Sequence, residues 1–298
     1  MALTECNTTV DESGRELLVH GSFEFPIACY DDNFQITDVP WHWHEEWEAV
    51  LIYQGSCTVA AGGQKVFLTA GQGFFIPSGI LHGCWDTLHS GCRFHSLVFH
   101  PRLVGGNPDS IFHQHYIAPL LNVKRAELVS LSPSIQWQKE ALAAIEAAWQ
   151  AVTQEREDFP LESRSALSRL TALLCKNLPT GQAVPTPKEQ RNSQRMKDML
   201  RLIHEEFDTD LSISRIAESA SISESECLRC FRAIIGMPPI QYLKQYRIRQ
   251  AASQLLETDD TISDIAARCG FQDLSYFARA FREQLGITPS QYRKNASR

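Results

Sequence analysis

Long apolar runs are missing from this sequence. No stretch approaches the roughly 20 consecutive apolar residues that a membrane-spanning helix needs, so no helical membrane anchor is expected. The first residues, MALTECNTTVDESGREL, carry acids and no apolar core, which is not the pattern of a secretory signal. A framework of cysteines is missing too. The nine cysteines are scattered, odd in number and irregularly spaced, which fits reduced thiols in the cytoplasm better than disulfides. Positive charge is in short supply: 28 Lys+Arg stand against 35 Asp+Glu, a net charge of −7. Taken alone, that argues against a nucleic-acid partner. The deficit is uneven, however. Residues 1–187 hold 11 basic and 20 acidic residues, whereas residues 188–298 hold 17 and 15. The C-terminal third is slightly basic, so any DNA binding must depend on where its arginines stand.

What is present divides by period. With 298 residues and 43% hydrophobic content, the chain can fill about two cores. Residues of about 20–100 read as short apolar runs cut by Gly, Pro and Asp. Val50, Ile52, Tyr53, Val66, Phe67, Leu68 and Phe74 to Ile76 favour strands, and Gly62-Gly63 marks a hairpin turn. Residues 1–130 are therefore read as an all-β domain, a barrel or sandwich. Over 131–178 the period changes. Leu142, Ile145, Trp149 and Val152, then Leu167, Leu170, Leu174 and Leu178, mark two amphipathic helices broken near Pro160. Their stripes must pack on the β-domain or on a second subunit. Residues 179–194, rich in Pro, Gly, Gln and Thr, read as a linker, and 195–298 as an all-α domain.

That last domain contains a repeat. Ile213, Ile216 and Ala217 match Ile262, Ile265 and Ala266 at an offset of 49; Phe231, Gly236, Pro239 and Tyr242 match Phe281, Gly286, Pro289 and Tyr292 at 50. Each copy has a short helix, a tight turn and a second helix ending at Gly: a helix-turn-helix, twice. Ser223 and Glu226 form a capping box for the second helix of copy one. An α-bundle can repeat without touching DNA, but the second helices place Arg229 with Arg232, and Arg279 with Arg282, at equivalent positions. Lys244, Arg247 and Arg249 lie on the helix between the copies, about Ile240 to Leu256. Arginine suits both guanine edges and phosphates.

Residues 195–294, and most closely ISDIAARCGFQDLSYFARAFREQLGITPSQYR, resemble the AraC/XylS family of bacterial transcription regulators. The resemblance implies base contacts at Ser225, Leu228 and Arg229 and at Leu274, Ser275 and Arg279. Glu224 and Glu226 suit the start of a helix but repel phosphates, so the second copy is the better candidate for specificity. The CLRC stretch, Cys227 to Cys230, lacks the four ligands of a zinc site and reads as two buried thiols.

Near the N-terminus, His42-x-His44-x3-Glu48-x6-Gly55 and Gly71-x5-Pro77-Ser78-Gly79-x2-His82 resemble the two cupin motifs, except that Asp86 stands where an Asn is usual. Alternation along a strand puts His42 and His44 on one face. The resemblance implies one divalent metal (Fe, Mn, Ni or Zn) on His42, His44, Glu48 and His82. In cupin-like sensor domains of AraC-type regulators the same residues can instead meet an organic effector or one another. Trp41, Trp43, Trp47 and Trp85 crowd these motifs; they read as core and rim packing, or, if they line the interior, as contacts for an aromatic, planar or cationic effector, with Trp85 placed in that effector set. His20 and the remaining histidines read as surface or packing residues.

Together these features suggest an α+β multidomain chain: a cupin-type barrel or sandwich, a helical dimerisation segment and a tandem helix-turn-helix domain. The expected function is a cytoplasmic, non-enzymatic transcription regulator whose partners are promoter DNA, a small-molecule effector, RNA polymerase and a second copy of itself, with no membrane. Two alternatives stand beside it: a metal-dependent cupin enzyme fused to a DNA-binding domain, and a regulator without an effector whose barrel serves assembly.

Overall fold

The computed structural model describes residues 10–11, 14–34, 39–86, 88–121, 127–178 and 187–296. Its bulk divides into two compact units, Arg15–Gln190 and Arg191–Arg298.

The first unit is built on β1 (Ile27–Asn33), β2 (Val39–His42), β3 (Trp47–Gln54), β4 (Ser56–Ala61), β5 (Gln64–Thr69), β6 (Gly73–Ile76), β7 (His82–Trp85), β8 (Arg93–Phe99) and β9 (Val129–Leu131). All pairings are antiparallel, in a five-stranded sheet ordered β1-β8-β3-β6-β9 and a four-stranded sheet ordered β2-β7-β4-β5. This is the expected sandwich. Gly62 and Gly63, both at positive φ, close the β4–β5 hairpin between the paired Ala61 and Gln64; a two-residue loop of this kind suits glycine.

Strand β3 explains the layering. It is apolar on both faces because it is central and covered on both. Val50 and Ile52 turn into the sandwich with Val59, Leu68, Phe74 and Phe94. Trp47 and Ala49 turn the other way, onto Phe75, Leu97 and Phe99 and the helices beyond. Those helices follow a short α1 (Arg102–Gly105), a π-helical turn (His113–Ile117) and α2 (Ala118–Leu121). They are α3 (Gln136–Gln154) and α4 (Phe159–Asn177). Pro160 stands in the first turn of α4, where it costs no hydrogen bond. The apolar stripes of the two helices, Leu142, Ile145 and Val152 with Leu167, Leu170 and Leu174, are buried in one cluster with Trp47 and Phe99. Each such side chain contributes about 1.5–3 kcal/mol of burial. The stripes are thus spent on the five-stranded sheet, and the helical segment belongs to the same compact unit as the strands.

The second unit is helical throughout its described length: α5 (Pro187–Glu205), α6 (Ile213–Ser219), α7 (Glu224–Ile234), α8 (Pro239–Glu257), α9 (Ile262–Arg268), α10 (Leu274–Leu285) and α11 (Pro289–Ala296). Of the expected linker 179–194, residues 179–186 lie outside the described residues, and 187–194 are helix instead. The polar residues there are the first turns of α5, whose apolar face, Met196, Met199, Leu200 and Ile203, begins only after them. The repeat is realised as two helix-turn-helix units, α6–α7 and α9–α10, joined by α8. Side-chain oxygens of Ser212, Ser223, Thr261 and Asp273 cap α6, α7, α9 and α10. Only half of the Ser223–Glu226 capping box forms: Ser223 accepts from the Glu226 amide, while the Glu226 carboxylate pairs with Arg229. Gly286, at φ +78°, ends α10 in the left-handed conformation that glycine tolerates. Ile265, Ala266, Phe277 and Phe281 pack with Ile248 and Leu255 of α8.

Candidate functional site

The sandwich brings two widely separated stretches of sequence together. Strand β2 places His42 directly across from His82 of β7, and β3 points Glu48 at them from the other sheet. His44 follows β2 in the turn before β3. All four are buried, and one ligand atom from each lies within 4.8 Å of the others.

The ring nitrogens are sorted by the backbone. Nδ1 of His42 meets the carbonyl of Pro40 at 2.8 Å, Nδ1 of His44 that of Glu46 at 3.1 Å, and Nδ1 of His82 that of Ile80 at 2.7 Å. A carbonyl only accepts, so each Nδ1 carries the proton, and a neutral ring then presents a lone pair at Nε2. Nε2 of His82 lies 2.8 Å from Oε2 of Glu48, and Nε2 of His44 lies 3.7 Å from it. None of these three atoms has a hydrogen-bond partner. Burial, and then the neighbouring His82, hold the His42 imidazole down to a pKa of about 3, so this ring is neutral. Burial pushes the Glu48 carboxyl up, but the closeness of the His44 and His82 rings outweighs it and holds it well below its ordinary value. Lone pairs therefore converge on an ionised carboxylate, and a proton or a cation must lie between them. Three imidazoles and one carboxylate, each oriented by the backbone or a neighbour, fit a divalent cation.

Two further groups adjoin the cluster that the sequence reading did not select. Oε2 of Glu16 lies 3.8 Å from Nε2 of His42 and 3.0 Å from Nε2 of His20. Nδ1 of His20 lies 2.8 Å from the Tyr30 hydroxyl. His20 is thus neither a surface residue nor mere packing. The only local hint was the Glu16–His20 spacing of four; nothing along the chain links it to residues beyond 40.

The tryptophans mostly turn away. Trp47 packs in the cluster between the five-stranded sheet and the helices. Trp85 needs a correction. On β7, His82 and Cys84 face inward, so alternation puts Trp85 on the outer face of the four-stranded sheet, beside Trp41 and under Lys65 Nζ at 5.3 Å. The fold does not bring it to the histidines. Asp86 accepts from Ser90 Oγ and from the Cys92 and Leu88 amides, and so secures the loop after β7.

In the second unit, Ser225, Arg229 and Arg232 are exposed on α7 and Leu228 is half-buried; Leu274, Ser275, Arg279 and Arg282 are exposed on α10. Arg279 lies over the Tyr276 ring at 5.7 Å. Lys244 Nζ stands 3.7 Å from Glu283. Arg247, grouped above with the DNA contacts, is engaged inside the unit. Its Nε and terminal nitrogen donate to the carbonyls of Phe207 and Thr209, both at 2.6 Å, and its guanidinium lies 6.0 Å from the Phe271 ring. It ties α8 to the segment after α5, because two carbonyls there need donors. Cys227 and Cys230 are buried as expected, and burial raises both thiol pKa values. Among the described residues, the His42–His44–Glu48–His82 set is the one group of three or more such side chains close enough for a metal.

Comparison with known proteins agrees with both halves. An AraC-like ligand binding domain matches residues 24–171, and a helix-turn-helix domain matches residues 216–295. The chain belongs to the AraC family of helix-turn-helix transcription regulators, as the repeat had indicated. An uncharacterized HTH-type transcriptional regulator of Bacillus subtilis, YdeC, is 29% identical over 97% of this chain and 98% of its own length. The HTH-type transcriptional activator RhaS of Pectobacterium carotovorum is 23% identical over 87% of this chain and 89% of its own. Among solved structures, ToxT of Vibrio cholerae with a bound unsaturated fatty acid covers 90% of this chain and 94% of its own at 13% identity, with a TM-score of 0.44. This chain is thus a DNA-binding transcription regulator with a ligand-binding domain.

Proposed function

We propose that the sandwich is a sensor whose interior holds a divalent metal ion on His42, His44, Glu48 and His82, and that this ion, alone or with a small-molecule effector, sets the affinity for promoter DNA. The observation that carries the reading is the 2.8 Å approach of His82 Nε2 to Glu48 Oε2, with Nδ1 of His82 already committed to a carbonyl. An ion of the Fe, Mn, Ni or Zn class would supply the positive charge that these lone pairs face. His42, His44 and His82 would hold it through Nε2, and Glu48 would neutralise half its charge. The same buried position keeps water from competing.

In this reading the DNA is read by α10 through Leu274, Ser275 and Arg279, with Arg282 on phosphate, and less strongly by α7 through Ser225, Leu228, Arg229 and Arg232, with Lys244 nearby. The protein works in the cytoplasm as a homodimer alongside RNA polymerase. The exposed Leu161 and the alanine-lined groove between α3 and α4, at Ala143, Ala147 and Ala166, offer a surface for the second copy.

The test pairs elemental analysis of the purified chain with promoter binding before and after chelation. About one ion per chain, with promoter affinity changing on its removal, is the expected result. Full promoter affinity and specificity, unaltered by stripping or reloading any of the four ions, would rule out metal control.

A further inference from the structure

We propose that Glu16 is a fifth donor to the ion held by His42, His44, Glu48 and His82; the inference rests on the metal reading of that site. Glu16 lies ahead of β1, where its backbone amide donates to the carbonyl of Trp43 at 2.9 Å and so fixes it beside the His42–His44 stretch. Its side chain is 2% exposed, and Oε1 has no hydrogen-bond partner. A buried carboxylate oxygen without a partner is rare and calls for one. Oε2 stands 3.8 Å from His42 Nε2. Two donors that share one ion through bonds of about 2.1 Å lie roughly 3–4 Å apart, so the His42–Glu16 pair suits a common ion, with Glu16 at the edge of the four-residue set.

The carboxylate is also oriented as a ligand would be. His20 Nε2 lies 3.0 Å from Glu16 Oε2, and His20 Nδ1 lies 2.8 Å from the Tyr30 hydroxyl. The chain runs from the Tyr30 O–H to Nδ1 and from the Nε2–H to Glu16, which leaves Glu16 with oxygen lone pairs to offer. A hydrogen-bonded partner behind a ligating carboxylate is the usual support for a metal ligand. The donor set becomes three imidazole nitrogens and two carboxylate oxygens. Two carboxylates balance a dication, and five donors suit Mn, Fe or Ni better than a closed tetrahedral zinc site.

The experiment uses the full chain, stripped of metal. Mn2+ is titrated against a competing fluorescent chelator, and Co2+ is added separately for its visible absorption. The proteins are wild type, Glu16→Gln, Glu16→Asp and Glu48→Gln. Wild type is expected to take up about one ion per chain. Glu16→Gln should bind about 10–100-fold more weakly, with a more intense Co2+ band as a donor is lost, and Glu16→Asp should recover part of both. Equal melting temperatures of the metal-free proteins would show that the loss is not unfolding; if Glu16→Gln does not fold, Glu16→Asp carries the comparison with its own weaker binding and altered band. Unchanged Mn2+ affinity and Co2+ spectrum at position 16, beside lost binding in Glu48→Gln, would overturn the fifth donor and leave the four-residue site standing. No uptake by wild type would overturn both.

Discussion

His82 Nε2 on β7 and Glu48 Oε2 on β3 stand 2.8 Å apart, and they join the four-stranded sheet to the five-stranded one deep inside the sandwich. Replacing His82 with Ala leaves Glu48 buried beside one partner fewer. Urea unfolding should show a loss of about 3 kcal/mol, the cost of stranding a buried charge. Under the metal reading, an ion at 100 times its Kd should also stabilise wild type by about 2.7 kcal/mol and His82→Ala hardly at all. Equal stabilisation of both proteins would place the ion elsewhere.

Arg279 and Arg247 should separate cleanly. Arg279→Ala is expected to cost about 1–3 kcal/mol of specific binding and to relax one base position, with little change in the melting temperature. Arg247→Ala should instead destabilise the fold, because it strands two backbone carbonyls. Promoter titration and thermal melts on both variants test this. A loss of DNA affinity in Arg247→Ala with an unaltered melt would restore it to the interface.

If α7 reads DNA as proposed, Glu226 restrains it. Its carboxylate holds Arg229 and adds negative charge near the expected phosphates. Glu226→Gln should therefore strengthen DNA binding several-fold at low salt, on the order of 1 kcal/mol, and steepen its salt dependence. Weaker binding would mean that Glu226 itself contacts the DNA, for instance by accepting from a cytosine.

Acid should weaken the DNA-binding unit through His204. Burial, with Arg249 nearby, holds its pKa down to about 4, and its Nε2 lies 2.9 Å from the Tyr242 hydroxyl. In the unfolded chain it titrates near 6.5, so the unfolded state takes the proton first. Stability is retained above about pH 6.5 and falls as pH drops towards 4, by at most about 1.4 kcal/mol per pH unit for this group. Unfolding followed across that window should show a shallower decline in His204→Gln. Parallel declines would assign the acid sensitivity to other groups.

Much of this was legible along the chain. Two glycines announced the β4–β5 hairpin, and periods of three and four marked α3 and α4. The offset between Phe231 and Phe281 exposed the doubled helix-turn-helix. The resemblance of two spaced motifs to those of cupins selected His42, His44, Glu48 and His82, while strand alternation spoke only for His42 and His44 sharing a face. Other features were hidden for a physical reason. The start of α5 is polar in sequence and the apolar face of that helix comes only later, a pattern that composition alone cannot tell from a linker. Arg247 looked like its neighbours until its acceptors, 38–40 residues away in sequence, were in place.

The sequence by itself determined the two-part architecture, the family, and four of the groups around one buried point. The architecture is written in periodicity and caps; the family and the four groups came from short motifs that resemble those of known families. Only the tertiary structure decided which ring nitrogens carry lone pairs, that Trp85 faces outward, and that Glu16 and His20 reach the site. Those depend on strand pairing and on backbone carbonyls brought from elsewhere, and folding creates that proximity by burying both sheets against each other.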